Sequence, residues 1–391
     1  MSPLSDLLVQ RLEEHSISDA AQETFVTVRL YGRGALRRDV AEGKTPAMRS
    51  VYRLVAGDLL YSRIDARNGA FAIVPPELAG AVVSKDFPCF AVRRNRVNPM
   101  FLIGYLGSSV FYEQLRAASF GTTNRQRISE QALLGYEIPL PPLAEQDRIL
   151  RLLDEAQGLR RLRDQADERT RAIVPALFAE FFGDPVGNER RWPMVAISDL
   201  VERFEAGRSV APAGDDNTSS KYRVLKVSAV TRGRFAADES KPVPDSCLPR
   251  PEHFVRPGDM LFSRANTTEL VGATVLVEEC PNNLLLPDKL WRFVWKVPPK
   301  IEPRFALAVF QHPSIRSELG RRSTGTGGSM KNIAMGKVLT MQVPLPPLSL
   351  QRVFAARVAE SRGLEAAQGA SGQRLDELFE SLLHRAFQGD L

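Results

Sequence analysis

The side chains able to do chemistry are scattered along this chain rather than gathered. Methylation of adenine needs Asp or Asn followed by Pro-Pro and an aromatic ring, so that polar groups hold the amino protons while the ring stacks on the extruded base. The four Pro-Pro pairs are VPPE (Val74–Glu77), LPPL (Leu140–Leu143), VPPK (Val297–Lys300) and LPPL (Leu345–Leu348), and none has that form. A GxxxxGK[ST] phosphate loop is missing, because Gly336-Lys337 is followed by Val338 and lacks the leading glycine. TGTGGS (Thr324–Ser329) lacks the strand-to-helix setting of a nucleotide fingerprint and reads as a loop. His15, His253, His312 and His384 stand alone, and Asp58, Asp65, Asp259 and Asp288 form no recognisable cluster, which points to solvated or turn-capping roles. Cys89, Cys247 and Cys280 are odd in number and make no CxxC, so neither a disulfide framework nor a zinc site is indicated. With no catalytic constellation, no metal site and no cofactor of its own, the protein is expected to act by binding.

Charge indicates what it could bind. The formal net charge is +6 over 391 residues. Residues 1–137 carry 17 basic against 14 acidic side chains and residues 186–343 carry 23 against 17, while 138–185 and 344–391 are slightly acidic. Two basic blocks fit a polyanion. Arg and Lys hold phosphates and read guanine edges, and Asn and Gln read adenine. The candidates in the first block are Arg63 and Arg67 in YSRIDARN, and Asn124, Arg125, Gln126 and Arg127 in GTTNRQR. In the second block they are Arg208, Arg232, Arg234, Arg264, Asn266, Lys331 and Asn332. Arg63 and Arg264 recur at equivalent places, whereas base readers should differ between the blocks. That pair is therefore expected to touch backbone or a partner, and base contacts are expected among basic residues outside the aligned motifs.

The elements that must position these residues are repeated. EIPLPPLAEQ (Glu137–Gln146) falls on QVPLPPLSLQ (Gln342–Gln351) at an offset of 205, and Ile128 falls on Ile333. AGDLLYSRID (Ala56–Asp65) resembles PGDMLFSRAN (Pro257–Asn266), and ALFAEFFGD resembles SLLHRAFQGD. The pieces keep their order, so the chain reads as a tandem duplication of one unit: globular domain, proline doorway, helix. FVTVRL, GAFAIVP, CFAVRR, YRVLKVSAV, ATVLVEE and LWRFVWKV give strand signals, and SSVFYEQLRAA and FALAVFQHPSIRSEL are helical, so each half is mixed α/β.

After each doorway the texture becomes helical. One apolar stripe passes through Ile149, Leu152, Leu153, Ala156, Leu159, Ile173 and Leu177, and another through Val353, Phe354, Val358, Leu364, Leu375, Leu378 and Leu382. These helices are expected to pair antiparallel, with Pro175 kinking or restarting the first and with Arg163 and Ser371 interrupting the heptads. About forty helical residues make a rod of roughly 60 Å, on the order of 17 base pairs of duplex. A rigid spacer between two basic domains would serve as a ruler for two half-sites.

The repeated PLPPL followed by Gln146 and Gln351, the GTTNRQRIS stretch, and SRIDARNGAF with the following SKDFPCF resemble the specificity subunits of type I restriction-modification enzymes over nearly the whole chain. The resemblance implies target recognition domains at 1–138 and 186–343, each reading one part of a bipartite site in double-stranded DNA. It implies doorway-plus-spacer helices at 139–185 and 344–391, two long antiparallel helices forming a coiled-coil spacer with pseudo-two-fold symmetry. It further implies two modification subunits that carry S-adenosylmethionine and methylate adenine N6, and restriction subunits using ATP and Mg. Leu350 stands where the first doorway has Glu145, which departs from an exact repeat. A module serving a fused methylase-nuclease, or a protein-binding scaffold, are the other readings of the same pattern. No apolar run approaches the roughly 20 residues that span a bilayer, and the N-terminus shows no signal peptide, so a cytoplasmic protein is expected.

Overall fold

The computed structural model describes the chain except residues 12, 20–21, 39–49, 118–126, 209–219, 245, 247, 326–329 and 389–391, and the side chains of 116 and 117. It divides into two compact units, residues 1–164 with 370–391, and residues 165–369. Helices α1 (Pro99–Leu106), α2 (Ser109–Ala117) and α3 (Glu130–Leu134) precede the 40-residue α4 (Leu143–Phe182). Then α5 (Pro303–Gln311), α6 (Pro313–Arg322) and α7 (Met335–Leu339) precede the 41-residue α8 (Leu348–Gln388). Both long helices contribute one half to each unit.

The first unit is built on an antiparallel sheet in the order Leu8–Arg11, Cys89–Val92, Leu59–Tyr61, Phe71–Ile73. The second repeats it as Val201–Ala206, Leu290–Trp295, Met260–Ser263, Thr274–Leu276. Adjacent strand residues point to opposite faces. Leu59, Tyr61, Phe71 and Phe90 accordingly pack under α1 and α2, while Leu60, Ala72 and Cys89 join a separate core on the other face with Val26, Val28 and Tyr52. In the second unit Met260, Phe262, Trp291 and Phe293 face α5, and Leu261, Val275 and Leu290 face away from it. Burial on both faces explains why these strands read as continuous apolar runs rather than alternating ones.

Two sequence expectations differ in detail. YRVLKVSAV is a strand only at Arg223–Leu225 and then a 3-10 turn over Val227–Val230. FALAVFQHPSIRSEL is two helices, because Pro313 lacks the N–H that would continue α5, and His312 takes an extended conformation that caps α6. Pro175, expected to kink or restart the first long helix, lies inside α4, which continues through it.

The long helices run antiparallel within each unit. In the first, Ile149 on α4 shares a core with Phe387 on α8, whose ring meets Phe101 and Tyr105 of α1 at 5.7 Å. Further along, Arg160 pairs with Asp376 at 2.9 Å and lies over the ring of Phe379. In the second, Phe178 and Phe182 of α4 pack on Phe354 of α8 and on Phe305. Burying each such ring is worth about 1.5–3 kcal/mol, against about 0–1 kcal/mol for an exposed ion pair. The aromatic ends therefore hold the helices to their domains.

The buried stripe departs from the expected one. Leu159, Leu364 and Leu378 are more than half exposed and Ile173 is 36% exposed, whereas Ile149 and Val358 are buried and Leu152, Leu153, Leu177, Leu375 and Leu382 are half-buried. From Ile149 the protected positions on α4 keep strict three-four spacing through Leu153, Ala156, Arg160, Arg163, Asp167, Thr170 and Val174. The stripe on α8 runs through Val358, Ser361, Glu365, Gln368, Gly372 and Leu375. Polar side chains thus occupy the middle of both stripes, and leucines chosen for their apolarity fall beside the seam. Arg163 continues the stripe that it was expected to interrupt.

The doorways have a specific anchor. The helices start with Gln146 and Gln351 N–H groups donating to the carbonyls of Pro142 and Pro347 at 3.0 and 3.1 Å. Both glutamine side chains have no solvent exposure. Gln146 Oε1 accepts the backbone N–H of Asn98, the N-cap of α1, at 2.7 Å, while its Nε2 donates to the carbonyls of Pro141 and Arg96. Gln351 accepts the N–H of Glu302, the N-cap of α5, at 2.8 Å and donates to Pro346 and Lys300. Replacing either amide by an apolar group leaves a buried N–H and two carbonyls unpaired. Gln146→Leu and Gln351→Leu should each lower unfolding stability by about 2–4 kcal/mol, read as a fall in urea midpoint. The exposed Gln157→Leu should stay within about 0.5 kcal/mol, and equal midpoints for all three variants would contradict the anchor.

Candidate nucleic-acid interface

In each unit the turn carrying the repeated Gly-Asp is held by a partly buried ion pair. Arg11 Nε donates to Asp58 at 2.6 Å, and Arg292 donates to Asp259 at 3.0 Å and to Glu205 at 2.6 Å. Burial pushes the Asp58 carboxyl up against the pull of Arg11. Asp58 is thus a buried structural partner rather than a solvated one, and Asp288 pairs with Arg264.

The strand that follows each turn leads to the repeated arginine, where the loop before the doorway joins it. The Ile128 N–H donates to the carbonyl of Arg63 at 2.9 Å, and the Ile333 N–H donates to the carbonyl of Arg264 at 3.0 Å. Two motifs about 65 residues apart in sequence are brought together in the same way twice.

The side chains at these joins differ in how they are engaged. Arg63 forks onto Glu130 at the start of α3, with its Nε 3.1 Å from Oε2 and a second bond from Nη2 to Oε1. That hydrogen bond raises the pKa of Arg63. Burial pushes Glu130 up, but Arg63 and the backbone hold it below its ordinary value of 4.5. Arg264 Nε donates to the carbonyl of Asp288 at 2.8 Å and its Nη2 lies 3.6 Å from the Asp288 carboxylate. Arg127 lies 3.4 Å from Asp86 and is exposed. Arg67 sits half-buried on the 3-10 turn Ala66–Asn68. Asn124, Arg125 and Gln126 lie outside the described residues.

In the second unit Ala265–Asn266, next to Arg264, pairs with Lys331–Asn332, which sets Asn266 opposite Lys331 and Asn332 opposite Ala265. Arg232 is exposed and 3.7 Å from Glu239, and Arg208 is exposed two residues past the strand Val201–Ala206. Arg234 is bound to Glu365 on α8, which makes it a tie between domain and helix within that unit. Of the candidates, Arg63, Arg264 and Arg234 have guanidinium donors committed inside the protein. Glu145, whose place Leu350 takes in the second doorway, makes a local pair with Arg148 at 3.1 Å, and Leu350 packs on the core.

Burial pushes the Cys89 thiol up to about 12, leaving it unreactive as a nucleophile. Among the described residues no group of three or more His, Cys, Asp or Glu side chains could hold a metal ion, and no helix is long and apolar enough to cross a membrane. Sequence reasoning missed the work of Gln146 and Gln351, although their identical spacing after both doorways was a visible signal.

The family model described as Type I restriction modification DNA specificity domain matches residues 41–161. The EcoEI type I restriction enzyme specificity subunit of Escherichia coli is 25% identical over 229 residues, covering 58% of this chain and 38% of that protein. The EcoKI specificity subunit of Escherichia coli K12 is 26% identical over 306 residues, covering 74% of this chain and 65% of that protein. The chain therefore spans less than two thirds of the length of these relatives. A solved chain from work on complex assembly and conformational transition of the type I R-M system superposes with a TM-score of 0.65 at 20% identity, covering 100% of this chain and 97% of that one. The HsdS subunit from Thermoanaerobacter tengcongensis gives 0.53 at 20% identity over 100% and 96%. These structural likenesses establish the fold.

Arg63→Ala should lower stability at neutral pH, because Glu130 loses its partner. Since Arg63 depresses the Glu130 pKa, the pair contributes fully above pH 4.5 and its contribution is lost as pH falls through the depressed value. The deficit of the variant in urea unfolding should shrink below pH 4.5, and an equal deficit at pH 7 and pH 3 would contradict this coupling.

Proposed function

We propose that the chain is a type I restriction-modification specificity subunit, which directs methylation and cleavage by reading a split DNA sequence without catalysing either step. The recognition domains, residues 1–138 and 186–343, each read one half-site in double-stranded DNA. The two long helices set the gap between the half-sites and seat two modification subunits, which bring S-adenosylmethionine and methylate adenine N6. Restriction subunits, with ATP and Mg, join that complex in the cytoplasm.

The observation that carries this reading is the repetition of one module with the same sheet order, the same join at Arg63 and Arg264, and the same glutamine anchor. Two similar modules with different surface segments suit two half-sites of different sequence. Leu159, Leu162, Val353, Leu364 and Leu378 are more than half exposed on the long helices. They offer the partner subunits apolar contacts on otherwise charged surfaces.

The purified chain with its modification partner should bind duplex DNA with an affinity that falls steeply between 50 and 200 mM salt, as released counterions require. Salt-independent or absent DNA binding would favour the scaffold reading. Inserting two helical turns after Asp164 should change the gap between half-sites or abolish assembly, and leave the bases read at each end unchanged. Altered bases with an unaltered gap would contradict the ruler.

A further inference from the structure

Between the first sheet strand and the Gly57-Asp58 turn the halves differ in most of their sequence, although Gly32-Arg33 falls on Gly233-Arg234 at an offset of 201. In the first half that segment folds into a two-stranded ribbon, Val26–Val28 against Ala35–Arg37, with Val26 opposite Arg37 and Val28 opposite Ala35. Val26 and Val28 are buried against the far face of the central sheet, so the ribbon has a fixed base. Residues 25–38 read FVTVRLYGRGALRR, with four arginines and no carboxylate. Arg29, Arg33, Arg37 and Arg38 are all exposed, and none forms an ion pair among the described residues. This sets them apart from Arg63, Arg127, Arg234 and Arg264, each of which does.

The tip is held in place. Arg29 N–H donates to the Gly34 carbonyl at 2.8 Å, closing the turn around Leu30–Arg33. The N–H groups of Tyr31 and Gly32 donate to the carbonyls of Asn68 and Gly69 at 2.7 and 2.9 Å, pinning the tip to the turn that bears Arg67. Tyr31 has φ 60, a left-handed conformation uncommon for a residue with a bulky side chain, and the residue is 67% exposed. The fold thus presents an aromatic ring and an arginine with no ion pair among the described residues on one pinned tip, with three more arginines along the ribbon.

A two-stranded ribbon fits the major groove, where an arginine fork reads the O6 and N7 acceptors of guanine. We infer that this ribbon is the base-reading element of the first half, with Arg33 taking a guanine edge and Arg29, Arg37 and Arg38 holding flanking phosphates. The inference rests on the DNA-reading function proposed above and names the residues that perform it. It also accounts for half-sites of unlike sequence: in the second half Asp238 and Glu239 stand where the ribbon has Arg37 and Arg38, and Arg234, in the place of Arg33, is tied to Glu365.

The test uses the full chain with its modification partner and duplexes in which each base pair of the split site is replaced in turn. Wild type should discriminate roughly 5- to 150-fold at a G·C pair of the first half-site. Arg33→Ala should lose that preference and keep every preference in the second half-site. Arg37→Ala should weaken binding to all duplexes alike and lower the salt slope by about 1. Full discrimination by Arg33→Ala at every first-half position would overturn the inference and leave the proposed function standing. A wild type with no split-site preference would overturn both. If Arg33→Ala binds no duplex, Arg33→Lys decides: retained affinity without the guanine preference supports the fork, and a restored preference overturns it.

Discussion

A helix that starts just after two prolines must leave its domain in a definite direction, and one buried amide does much to fix that direction in each half of this protein. Gln146 and Gln351 each join the N-cap of a domain helix to the doorway carbonyl and to a loop carbonyl, with no solvent to substitute for a lost bond. Glutamine suits the position because it offers an acceptor and two donors from one side chain. Proline in front of it forfeits no hydrogen bond, since the first N–H groups of a helix have no intrahelical acceptor. Within each unit the long helix therefore leaves its domain along a direction set by hydrogen bonds, which aromatic packing then reinforces.

That anchoring shows why some features were legible in sequence and others were not. The duplication, the doorways and the long helices follow from order, proline chemistry and helix formers, and all leave a local trace. The stripe on the helices was read by choosing leucines, and Leu159 is exposed because the protected line on its helix runs through Arg160, Arg163 and Asp167, as Leu364 and Leu378 are because theirs runs through Glu365, Gln368 and Gly372. Spacing survived where polarity misled. The strand FVTVRL was visible as a β-branched run, but the pinning of Tyr31 to Asn68 depends on residues nearly forty positions away. Arg63 and Arg264 were set apart from base reading because they recur, and both have guanidinium groups engaged by a neighbouring residue of their own unit.

The same reasoning separates scaffold from surface. Repeated charged residues such as Asp58, Arg63, Asp259 and Arg264 make ion pairs that shape the module. Arginines without a counterpart in the other half, such as Arg29 and Arg37, remain exposed and unpaired among the described residues. A module with a constant ion-paired frame and variable basic segments can be duplicated without forcing both copies to read the same bases. Under the proposed function, basic charge concentrated in the two globular blocks would supply non-specific attraction to phosphate, and the differing segments would supply choice.

The most direct measurement is a genome-wide map of N6-methyladenine in cells expressing the chain with its neighbouring modification subunit, compared with cells expressing that subunit alone. The account predicts a split motif of two unlike half-sites at a constant gap, present only when this chain is expressed. Identical maps, with both proteins copurifying from the cells, would contradict it.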